Sequence, residues 1–296
     1  EIPTYDELGK VVKYAHNHGV VVYLTINIPY MVKMMHDAVK NHIRRCLDQG
    51  VDGLIIGNMG ILAIVKSMNT HAKLVASMYN ASFNYENIEF LRKLGYSRAT
   101  LEAHLTIPEI TEIAKRSKIE IEIFVHGAGC SSIQSRCMFF HFKLPAVTNL
   151  SLPHVACVFP YDVYDANTKE LKARNVPLLD AQTMCSICQL PELIKTGATG
   201  FKITGREDGI LYQESATKIY RELIDLIGKG QMDKFEERVE FLKNNFHPHV
   251  VGQANLQECY CEQKRCYYPP LFFAQYKQPQ SWYGWTKSQL QLARFE

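Results

Sequence analysis

Apolar residues recur at helical spacing in YDELGKVVKYAHNHG, and the run stops at Gly19. VVVYLTIN follows with the β-branched content of a strand. The same exchange repeats down the first two hundred residues. VKMMHDAVKNHIRRCLDQG predicts a helix closed by Gly50, and VDGLIIG a strand. ILAIVKSMN predicts a short helix and KLVASMYN a strand. NYENIEFLRKLG predicts a helix opened by Asn84 and closed by Gly95, followed by the strand SRATLEAHL. IPEITEIAKRS predicts a helix with Pro108 early, where proline is tolerated, and IEIEIFVHG a strand. Later, LPELIKTG, ATGFKITG and ESATKIYRELIDLIGKG predict helix, strand and long helix. Strands and helices alternating at this spacing imply βαβ units on a parallel sheet.

The strands are two-faced. Tyr23, Thr25 and Asn27 oppose Val22, Leu24 and Ile26. Thr100, Glu102 and His104 oppose Leu101, Ala103 and Leu105; Glu122, Phe124 and His126 oppose Ile123 and Val125; Lys202, Thr204 and Arg206 oppose Phe201 and Ile203. A doubly wound sheet covered on both sides reads as continuous apolar runs. A barrel can turn polar faces inward, so the expected fold is α/β, a TIM-like (β/α) barrel. About six strands are legible where a closed barrel has eight, and the chain opens on what would be the helix before a third strand. The expectation is therefore a barrel lacking its first two strands in this chain. Residues 1–243 form that barrel, with an insertion at 128–183 that breaks the alternation. Residues 244–296 form an aromatic C-terminal extension (YYPPLFFAQY, SWYGW) that packs on the barrel.

Composition changes this picture little. The chain has 296 residues, a net charge of +3 and no apolar run long enough to span a bilayer. Lys and Arg are scattered, which permits an RNA contact without arguing for one. No P-loop or dinucleotide-binding glycine pattern occurs. Nine cysteines without a signal-peptide pattern point to a reducing, cytoplasmic setting, where spaced cysteines serve metals or catalysis more often than disulfides.

The candidate chemistry sits in EIFVHGAGCSSIQSRC. Cys130 and Cys137 follow a strand that ends at Gly127, Cys157 lies in HVACVFP, and Cys185 lies in MCSICQLPELI. Thiolates gathered at one barrel mouth can hold a [4Fe–4S] cluster. Zinc takes the same ligands, but its usual signature is two tight CxxC pairs, and only Cys185 and Cys188 have that spacing. A catalytic cysteine, Cys130 with His126 as base, would leave the other thiols unexplained. Spacing ranks cluster before zinc before nucleophile and leaves all three open.

EIFVHGAGCSSIQSRC resembles the signature of the collagenase-like peptidase U-32 family, in which E-x-F-x-x-G-[SA] leads to a pair of cysteines with six residues between them. YDELGKVVKYAHNHGVVVYLTIN, FLRKLGYSRATLEAHLTIPEI and MCSICQLPELIKTGATGFKITGR resemble it in the same order along the chain. The resemblance implies an incomplete or complete TIM-like barrel. It implies oxygen-independent hydroxylation of tRNA, rRNA or the ubiquinone-precursor ring, with prephenate implicated as oxygen donor. It also implies a [4Fe–4S] cluster on Cys130, Cys137, Cys157 and Cys185, with Cys188 a bystander. The departures are Gly129 for an aliphatic residue, Ser135 for glycine, Ala103–His104 for Arg-Glu and Thr204 for Glu. They imply kept cluster ligands and an altered barrel lining, hence a different substrate or one half of a heteromeric pair.

The resulting expectation is an iron–sulfur hydroxylase of an aromatic or nucleobase substrate. A peptidase and a non-catalytic partner subunit of the same family are the alternatives. Polar strand-end residues would do the binding and proton work: Asn27, His104 and His126, with Lys202 and Arg206 on a carboxylate donor. Glu122, expected on the face of His126, would orient that imidazole or move a proton. Cys259, Cys261 and Cys266 form a second candidate metal site in the tail, with the HPH run (His247, His249) nearby.

Overall fold

The computed structural model describes residues 4–27, 32–130, 133, 160–176, 183–205, 209–245 and 266–268. Helix α1 (Tyr5–Asn17) leads to strand β1 (Tyr23–Ile26), and the pattern continues through α2 (His36–Asp48), β2 (Gly53–Ile56), α3 (Met59–Ser67) and β3 (Lys73–Ala76). Then come α4 (Tyr85–Lys93), β4 (Arg98–Thr100), α5 (Ile107–Arg116) and β5 (Glu120–Ala128). After β5 lie a hairpin of β6 (Tyr161–Tyr164) and β7 (Leu171–Val176), then β8 (Thr183–Cys185). Helix α6 (Leu190–Lys195), β9 (Gly200–Ile203), α7 (Ile210–Gly228) and α8 (Met232–Asn245) complete the described elements.

Local chemistry explains where helices start. Thr4 and Glu7 form a reciprocal capping box on α1, and Thr106 and Glu109 do the same on α5, with a proline in its first turn. Asn58 and Asn84 accept from the third backbone N–H of α3 and α4.

The main sheet is parallel from β1 through β2, β3, β4 and β5, and β9 adds in parallel to β5. The short β8 pairs with the far end of β5 in the opposite direction. Six parallel strands agree with the alternating pattern in the sequence, and the α/β architecture is compatible with a TIM-like barrel. Two boundaries differ. The segment read as strand SRATLEAHL pairs only over Arg98–Thr100, because Glu102 turns away and donates its N–H to Ser82 O. The end of KLVASMYN is a 3-10 turn at Met78–Asn80, held by Ser77 and by Asn80 Nδ2 donating to Ile56 O.

The core lies between the helices and one face of this sheet. Leu54, Ile56, Ala76, Ala99, Ile121, Ile123 and Val125 meet Ile43, Ile61, Leu91, Ile110, Leu193 and Leu223 there. Tyr267 and Tyr268, from the region read as the aromatic extension, are buried at Phe124, on the other face of β5. Apolar burial at about 25 cal/mol per Å² makes this the main driving force for the fold.

Candidate functional site

Strand β5 carries most of the candidate residues, and a bulge divides it. Glu122, Ile123 and Phe124 pair with Gly200, Phe201 and Lys202, but Ile203 pairs with His126, so Val125 is the extra residue. Before the bulge, Glu122 and Phe124 share the face of Lys202. After it, His126 shares the face of Ile203, the opposite one. The simple alternation that put His126 beside Glu122 is thereby corrected: an inserted residue shifts the period by one.

Each half has its own chemistry. Glu122 accepts from Thr100 Oγ1 at 2.7 Å and Lys202 Nζ at 3.2 Å. Arg98 lies 3.8 Å from Glu122, bonds Glu120 through Nε at 2.6 Å, and sits 5.7 Å over the Tyr23 ring. Lys202 is also 5.7 Å from the Phe124 ring centroid. These charges are paired with one another, which holds β4, β5 and β9 in register.

His126 is fully buried among tyrosines of α7, 5.4 Å from the Tyr220 ring and 5.8 Å from Tyr212. The Tyr220 hydroxyl donates its single proton to Val125 O at 2.6 Å and accepts from Ser186 N at 3.1 Å. His126 Nδ1, 3.3 Å from that oxygen, must therefore be the protonated nitrogen and donate to it. Burial lowers the His126 pKa to about 3, so the ring is neutral near pH 7. Burial, followed by the Cys185 thiol, pushes the Tyr220 hydroxyl well above the usual range.

Past the bulge, β8 brings a distant thiol to the strand. Cys185 pairs with His126, and Met184 with Gly127. A side chain at Gly127 (φ 113°) would collide with Thr204, and one at Gly129 would lie 2.8 Å from Met184 Sδ. Glycine is thus required at 127 for β9 to close on this end, whereas at 129 the flexible end of Met184 would have to shift. Residues 266–268 seal the same place. Cys266 forms a parallel bridge with Cys185, and Tyr267 N donates to Cys185 O at 2.9 Å. Tyr267 stacks on Phe124 with centroids 6.1 Å apart, and the Tyr268 hydroxyl donates to Phe124 O at 2.6 Å. Gln189 Nε2 donates to Tyr268 O.

A cavity of about 910 Å³ opens beside this strap, with His104, Cys130, Met184, Gln189, Cys266 and Tyr267 in its wall. His104 Nε2 lies 2.8 Å from Cys130 O and ties the loop after β4 to the first cysteine. Burial, then Tyr268 and Cys130, raises the Tyr267 hydroxyl, which stays a neutral phenol. Burial, then Cys266, raises the Cys188 thiol.

Of the residues read as candidates from sequence, Cys130, His104 and Cys266 meet at this cavity, with Cys185 next to Cys266 in the ladder. Lys202 and Glu122 are joined to each other, and His126 faces α7. Asn27, also described, lies at the end of β1 against Gly57. Cys137, Cys157, Arg206, Cys259 and Cys261 lie outside the described residues, as do His247 and His249. Among the described residues, no three His, Cys, Asp or Glu side chains converge as a metal site. Sequence reasoning missed Met184, Gln189, Tyr267 and Tyr268. The apolar run around Tyr267 signalled packing, but nothing local signalled its address.

The family model described as peptidase family U32 matches residues 3–264. Among curated proteins, the chain is 25% identical to the tRNA hydroxylation protein P1 of Bacillus subtilis (strain 168), over 75% of this chain and 54% of that one. It is 26% identical to tRNA hydroxylation protein P2 of the same organism, over 79% of this chain and 77% of the relative. An uncharacterized protease of Methanocaldococcus jannaschii is 27% identical over 81% of this chain and 59% of its own length. The chain thus spans about half the length of the first of these relatives.

Proposed function

This chain belongs to peptidase family U32, and from that premise we propose that it is an iron–sulfur enzyme that hydroxylates a nucleobase or aromatic substrate without O₂. The observation that carries the reading is the closing of β8 onto β5, which draws Cys185 to the strand end that Cys130 follows. The names of the Bacillus subtilis relatives support an RNA substrate.

The donor chemistry fits a cluster. Cys130 and Cys185 would be two of its ligands, both sulfur, with Cys137 and Cys157 the other two. A bound [4Fe–4S] cluster supplies one-electron chemistry at a potential set by burial and by hydrogen bonds to sulfur. The rest falls to the protein. His104 holds the Cys130 loop by its backbone carbonyl, so the ligand does not rely on the thiol side chain for its position. Tyr267, Tyr268 and Met184 form the apolar part of the cavity wall, beside Lys115, Glu192 and Lys195. Buried His126 stays neutral and orients β5 through Tyr220, while exposed His104 is the imidazole able to exchange protons beside the substrate. Lys202 is neutralised by Glu122, so an anionic oxygen donor such as prephenate would draw on Arg206 instead.

A peptidase would need Cys130 with His126 as base. The bulge turns that imidazole towards Tyr220 and Tyr212, which counts against the pair. Iron and sulfide analysis of protein reconstituted anaerobically tests the reading. About four irons per chain are expected. A colourless protein holding a single zinc, or proteolysis by iron-free protein that is lost in Cys130→Ser, would refute it.

A further inference from the structure

Cys266, read from sequence as part of a separate tail site, is placed by the fold against Cys185. The two are bridge partners in a parallel ladder. The register is set by Tyr267 N donating to Cys185 O at 2.9 Å and by the tyrosine contacts on Phe124. Paired residues of a ladder project their side chains to the same face. Adjacent strands lie about 4.8 Å apart, inside the Cα separation of about 4.4–6.8 Å that a disulfide needs. Both residues are thiols in this structure. Cys185 is buried and Cys266 half-buried at the cavity wall, so a small reagent has a route to the pair through Cys266.

We propose that Cys185 and Cys266 are a redox pair that closes to a disulfide in the iron-free chain and opens to thiols before iron is taken up. Closing removes two protons and two electrons as the S–S bond forms. A low-molecular-weight disulfide accepts them and is itself cleaved to two thiols. The closed form pins the 266–268 strap over the cavity and withholds Cys185 from iron. The effect on iron rests on the reading of Cys185 as a cluster ligand; the disulfide itself does not. Cys188 is the nearest competitor, because its thiol feels Cys266, but it lies outside the ladder pair.

The test uses the full chain stripped of iron by a chelator and treated with oxidised glutathione. It is then alkylated, digested without reduction and mapped by mass spectrometry. A linkage between Cys185 and Cys266 is expected in wild type and in Cys188→Ser, and none in protein already loaded with iron. Oxidised wild type should take up iron only after reduction, whereas Cys266→Ser given the same treatment should take it up directly. A Cys188–Cys266 linkage, or alkylation of Cys266 beside a glutathionylated Cys185, would overturn the disulfide. Equal iron uptake by oxidised and reduced wild type would overturn its role as a gate. Protein that never binds iron but shows the linkage would defeat the iron–sulfur reading and keep the disulfide.

Discussion

The two halves of β5 answer the same problem, polar residues on a packed strand, in opposite ways. Before the bulge, Glu122 is bonded by Thr100 and Lys202, and Arg98 by Glu120, so the charges satisfy each other on the sheet. After it, one neutral imidazole is buried in a tyrosine cage, and thiols line the way to a cavity. The first arrangement holds strands in register and leaves little charge for a ligand. The second gathers thiols, a thioether and tyrosines beside a cavity whose wall also carries Lys115, Glu192 and Lys195.

The sharpest contrast should come from iron. Cys130→Ser and Cys185→Ser are each expected to abolish stable cluster formation on anaerobic reconstitution, while Glu122→Gln keeps the wild-type iron-to-protein ratio. Loss of iron in Glu122→Gln would move the site to the other half of the strand.

Acid should separate the halves next. His126 has a folded pKa lowered to about 3, below the unfolded value, so the unfolded chain binds the extra proton first. Its stabilising contribution is complete above about pH 6.5 and is lost as pH falls towards 3, at about 1.4 kcal/mol per unit. Between pH 6.5 and 4.5 the loss is about 2–3 kcal/mol. Urea midpoints measured across that window should show this slope, and His126→Phe should flatten it.

Tyr220→Phe removes the hydroxyl that serves Val125, Ser186 and His126. Val125 O keeps the Ser186 hydroxyl, but leaving Ser186 N and His126 Nδ1 unserved should cost about 1–3 kcal/mol by chemical denaturation. The smallest effect belongs to the charged half. Glu120→Gln breaks a half-exposed pair with Arg98 and should cost about 0.5 kcal/mol or less, shrinking further at high salt. A loss as large as that of Tyr220→Phe would mean the network is more than a register lock.

Much of the framework was legible beforehand. The helix stops at Gly19, Gly50 and Gly95, and the start at Asn84, are local chemistry and appear where the chain says they should. The two-faced strands were legible because successive side chains of a strand point to opposite faces. The His126 orientation was not, because a bulge leaves no mark in a strand's own composition; it exists only relative to β9. Glu102 and His104 likewise left the strand because Ser82, from another loop, captures the backbone of Glu102.

From residues alone came the alternating α/β architecture, the family of the chain and the thiols worth attention, since periodicity, capping and motif spacing are properties of neighbours in sequence. Tertiary structure alone decided which imidazole reaches the cavity, that Lys202 is spent on Glu122, and that Cys266 stands beside Cys185. Those are pairings between segments far apart in the chain, and they are set by ladder register and burial, which no single segment contains.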